Sequence, residues 1–137
     1  MKPTTLLVAA LAALAGSPTP VNAVGGLSFV PVPLPPPNNW IGGPSLFPTR
    51  VLAGFHEDYE KYDQGNWTVY MLNQCRQNDG CTSLILFSAI PAETNSNSRS
   101  WFGYLMGGPP TNPNDYVRDE SKDQDVQDSA AWNAIRR

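Results

Sequence analysis

Apolar residues are spread unevenly along this chain, and their spacing predicts a few short elements. Leu84-Ile85-Leu86-Phe87, entered through Thr82-Ser83, is a continuous apolar run of the kind found in a strand covered on both faces. Trp101-Phe102-Gly103-Tyr104-Leu105-Met106 reads as a second strand, stopped by Gly107-Gly108-Pro109-Pro110. The polar stretch 91–100 between them makes the pair an antiparallel hairpin with a long tip. Trp67, Tyr70, Met71 and Cys75 recur at helical spacing, so 67–77 reads as a short helix, capped by Thr68 and stopped by Asn78-Asp79-Gly80. Val51-Leu52-Ala53-Gly54-Phe55 is a candidate first strand, and a polar, aromatic-dotted segment carries it to a turn at Gly65-Asn66. These elements occupy 50–116 and predict an α+β domain: one short helix packed on a small antiparallel sheet.

The flanks follow other patterns. Lys2 precedes the apolar run Leu6 to Ala15, and Val21-Asn22-Ala23 supplies the small residues of a cleavage site, so 1–23 reads as a secretory signal peptide. The run is about ten residues against the ~20 that span a bilayer, and no longer one follows, so no membrane attachment is expected. Residues 24–49 hold half of the 14 prolines, a density that helices and central strands do not tolerate. They read as a disordered polyproline-type arm, although Phe29, Trp40, Ile41, Leu46 and Phe47 are unusually apolar for a linker and leave open its packing on the domain. Residues 117–137, rich in Asp, read as a solvated acidic tail with one or two helical turns over Val126, Ala130 and Ala134. The remaining core of about 67 residues is small enough to need a staple or a partner.

Charge and residue type then narrow the chemistry. A net charge of −3 with no basic stripe argues against nucleic acid. In an oxidising compartment the two cysteines, Cys75 and Cys81, imply one disulfide closing a short ring. With one distant histidine, His56, they make a poor zinc site, and no cofactor motif is present. An EF-hand starting at Asp119 fails because its sixth position is Gln124 and its twelfth Ala130. His56 lies beside Glu57 and Asp58, but neighbours on a strand face opposite ways, so no hydrolytic triad is spelled out and no catalytic residue is assigned. Asn66-Trp67-Thr68 is an N-glycosylation acceptor, which would require Asn66 to be exposed.

The segment Thr68 to Ser83, with its Cys75-to-Cys81 ring and Phe87 behind it, resembles the helix-to-strand core of PAN/apple-like domains. Trp101-Phe102-Gly103-Tyr104, Gly107-Gly108-Pro109, Tyr116 and Asp128 to Asn133 resemble small secreted fungal proteins carrying that core. The resemblance implies a module that binds protein or carbohydrate and has no active site. It departs from the family where a helix-to-sheet bridge would start: Met71 stands there, and a thioether fills space without crosslinking. The expectation is therefore a secreted, extracellular binding module, an effector or wall-associated protein, recognising protein or polysaccharide through aromatics such as Trp101 and Tyr104. Its rivals are a small hydrolase or inhibitor using Glu57 and Asp58, and a surface protein whose proline-rich arm is the working part.

Overall fold

Asp63 begins the helix. Its backbone is extended and its Oδ1 accepts the Asn66 N–H at 2.8 Å, satisfying one of the first-turn donors that the helix itself cannot pair. In the computed structural model, which describes residues 27–91 and 98–136, the helix α1 therefore runs Gln64–Arg76, starting earlier than the apolar spacing suggests. Gly65 and Asn66 form its first turn rather than a separate one, and the Thr68 hydroxyl donates back to Gln64 O instead of capping. Trp67, Met71, Leu72 and Cys75 are buried, as their spacing requires. The Cys75–Cys81 disulfide is formed and ties the helix end to the strand that follows.

The strands are β1 (Leu27–Pro31), β2 (Trp40–Gly42), β3 (Val51–Asp58), β4 (Ser83–Ala89), β5 (Ser100–Met106), β6 (Tyr116–Arg118) and β7 (Gln127–Arg136). Five of them form one antiparallel sheet in the order β1-β7-β4-β5-β3. The expected β4–β5 hairpin is present, with Phe87 opposite Phe102 and Ile85 opposite Tyr104. α1 covers one face, where Trp67, Met71, Leu72, Leu84, Leu86, Trp101 and Leu105 pack together. Met71 seats its thioether in the notch left by Gly103, where a Cβ would overlap it. The helix is thus held to the sheet at this point by packing.

Both flanks belong to this body, which corrects the division at 49/50 and 116/117. β1 comes from the proline-rich stretch and pairs with β7; Phe29 and Leu46 are fully buried. Ala130 and Ala134, where a helical turn was expected, lie in a strand. The tail supplies β7, a strand with neighbours on both sides whose Ala130, Trp132 and Ala134 face α1 while Ala131 faces away. Residues 1–26, including the expected signal peptide and the first residues of the arm, lie outside the described residues.

On the face away from α1, the two-stranded ribbon β2–β6 and the turn at 44–50 form a second layer over Ile85, Met106 and Ala131. Arg118 holds the proline segment against it. The guanidinium donates to the carbonyls of Pro35, Pro36 and Pro37 and to Asn39 Oδ1, and stacks 4.2 Å over the Trp40 ring. Successive prolines have no N–H to offer a ladder, so their carbonyls are satisfied by a side chain.

Candidate functional site

Between the second layer and strands β4 and β5 lies a cavity of about 330 Å³, lined by Ile41, Gly42, Phe47, Phe87, Tyr104, Asp119, Gln124 and Val126. Two glycines let aromatic rings lie flat there. Phe47 rests against Gly42, where a Cβ would overlap the ring, and Tyr104 rests against Gly54 across the β3–β5 ladder, where a Cβ would sit 3.0 Å from its edge. Phe47 meets Tyr104 edge to face with centroids 5.0 Å apart, and Phe87 lies 6.3 Å from Tyr104. Burial raises the Tyr104 pKa, so the phenol is neutral across physiological pH. Its hydroxyl has no hydrogen-bond partner among the described residues.

The polar wall is the loop between β6 and β7. Asp119 N–H donates to Asn39 O at 2.9 Å, and Gln124 O accepts the Ile90 N–H at 2.8 Å. Arg99 fastens the same loop: it pairs with the Asp125 carboxylate at 2.6 Å and donates to Asp125 O at 2.8 Å and to Ser88 Oγ at 3.0 Å. Ser88 in turn donates to Asp128 Oδ2 at 2.7 Å. Asp125 and Asp128 both have positive φ, 46° and 62°, a left-handed backbone that costs free energy in non-glycine residues and is stabilised here by this network. Asp119 and Gln124 thereby face an otherwise apolar hollow. Among the described residues no Lys or Arg lines it.

The residues singled out from sequence are scattered. Tyr104 is in the cavity wall. Trp101 is not a surface contact: it is 1% exposed on the α1 face, stacked on Tyr59 and donating its indole N–H to Tyr59 O and Tyr62 O. Asn66 is exposed on α1, across the sheet from the cavity. Glu57 pairs with Lys61 at 3.4 Å and accepts the Asp58 N–H, while Asp58 points to the opposite sheet face and borders a separate polar hollow with Tyr59, Glu60, Ser98 and Arg99. His56 is exposed on β3 beside Phe102. Among the described residues no three His, Cys, Asp or Glu side chains are grouped to hold a metal ion, and no helix is long and apolar enough to cross a membrane. Phe47, Phe87 and the Asp119–Val126 loop join the site without being singled out for it by the sequence pattern. The apolar Leu46-Phe47 pair inside a proline-rich stretch was the available signal.

No family model matches this chain, and neither the curated proteins nor the solved structures compared with it include a similar one.

Proposed function

We propose that this chain is a secreted, non-enzymatic binding module that takes a neutral sugar residue of an extracellular polysaccharide into the aromatic cavity. The observation that carries the proposal is the lining, which among the described residues has three aromatic rings and aliphatic walls, one amide and one carboxylate, and no cation. Aromatic faces suit the C–H faces of a pyranose ring, while Asp119, Gln124 and the Tyr104 hydroxyl offer partners for its hydroxyl groups. At about 330 Å³ the hollow is at the small end of ligand pockets, the size for one ring. Phosphate, nucleic acid and acidic glycans would bring a negative charge toward Asp119 with no base to meet it.

Binding rather than hydrolysis is favoured because glycoside cleavage uses two carboxylates flanking the bond, and among the described residues the lining holds one, Asp119. Kinship with PAN/apple-like proteins belongs to the same proposal, supported by one helix on an antiparallel sheet with the 75–81 ring at its end. So does passage through a secretory pathway, supported by the leader pattern and the disulfide, with the Asn66 acceptor glycosylated on the face away from the cavity. An extracellular setting places the module at a cell wall or, as an effector, at a host surface.

The test is calorimetric titration of the secreted protein with glucose and N-acetylglucosamine and their β-linked oligomers. Binding is expected, and Tyr104→Ala should abolish it while Tyr104→Phe retains most of it. Absence of binding by the folded wild type to every saccharide would overturn the proposal.

A further inference from the structure

We infer that the bound saccharide is a chain that leaves the cavity across β5 toward the β3 edge, over Phe102 and His56; this rests on the carbohydrate reading of the cavity. The aromatic surface does not end at the cavity wall. Phe87 stacks on Phe102 with centroids 5.7 Å apart and planes 28° apart, and Phe102 faces His56 at 6.4 Å and 40°. These rings sit opposite one another in the ladder, Phe87 against Phe102 on β4–β5 and Phe102 against His56 on β5–β3. They therefore advance at the strand spacing of about 4.8 Å, with the small tilts of one pleated face.

Phe87 lines the cavity and also begins this row, so the two surfaces are continuous. The packed cluster under the second layer includes Phe87 and Tyr104 but not Phe102 or His56. Phe102 is half-buried and His56 exposed, and Gly54 keeps the strand low between Tyr104 and the edge. Asp58 is exposed on the same face two residues along β3 from His56, to the side of this row and opposite Ser100. An aromatic strip running from the cavity across β5 to β3 suits an uncharged flat ribbon. A β-linked neutral glycan has that shape, with one sugar in the hollow and the next over Phe102.

The measurement is affinity of the full secreted chain for β-linked glucose and N-acetylglucosamine series, from monosaccharide to hexasaccharide. Affinity should rise over the first units. Phe102→Ala should weaken the longer oligomers by about three- to tenfold while leaving the monosaccharide unchanged. His56→Ala, at an exposed position where folding is not at stake, should give a smaller loss with the same dependence on length. Equal affinity for short and long ligands, or an equal loss for both in either variant, would overturn the extended site while leaving the cavity reading in place. Failure of every saccharide to bind overturns both.

Discussion

Replacing Phe29 by Ala asks whether the proline-rich stretch is part of the folded body. Phe29 is fully buried on β1 beneath α1, with the Arg76 guanidinium 5.2 Å over its ring. Transferring such a side chain out of water contributes about 1.5–3 kcal/mol, and truncation also leaves unfilled space in a packed interior. Phe-to-Ala losses in cores consequently reach about 3–5 kcal/mol, a large part of the roughly 5–15 kcal/mol that holds a domain folded. Urea unfolding followed by tryptophan fluorescence measures it, since Trp67 and Trp101 lie in the same cluster. At a slope of about 1.5 kcal/mol per molar, the midpoint should fall by roughly 2–3 M with the slope preserved. Pro33→Ala, at an exposed position in the same stretch, should move the midpoint little. A loss under about 1 kcal/mol for Phe29→Ala would refute the reasoning, because it would make the stretch a linker lying on the surface.

Two further expectations concern the staple and the buried phenol. Cys75→Ala with Cys81→Ala opens a ring spanning a sequence separation of 6, and chain entropy sets the cost at about 2.3 kcal/mol, read as a drop in urea midpoint with the fold retained by circular dichroism; an unchanged midpoint would contradict it. Burial raises the Tyr116 pKa to about 12, against the lowering effect of its hydrogen bond with Thr111. The fold thus favours the neutral phenol, so its contribution is complete below pH 10 and is lost as pH climbs from 10 towards 12, about 2–3 kcal/mol in all. Tyr116→Phe should flatten stability over that window, and an undiminished decline in that variant would sink the assignment.

The elements legible in the sequence were those whose own residues settle their conformation. Leu84 to Phe87 reads as a covered strand, Trp67, Met71 and Cys75 fall on one helix face, and Cys75 has one possible partner. The helix starts before the apolar spacing does because Asp63 caps it from outside that pattern. Trp101 and Tyr104 are both aromatic and lie on one strand, and their sequence context does not say which sheet face is covered. With an odd separation they point opposite ways, so one is core beneath α1 and the other lines the cavity.

β7 was hidden for a related reason. Ala130, Ala131 and Ala134 are good helix formers and poor strand formers, and their spacing fits a helical turn. They become strand because β1 and β4 bond the backbone from both sides. Local pattern alone determined the helix, the central hairpin, the disulfide and the class of fold. Tertiary structure decided that the proline-rich stretch and the acidic end complete the sheet, and that Phe47, Phe87, Tyr104 and the Asp119 loop meet in one hollow. Contacts such as Phe47 with Tyr104 join residues far apart in sequence, and only closure of the sheet gives them a common surface.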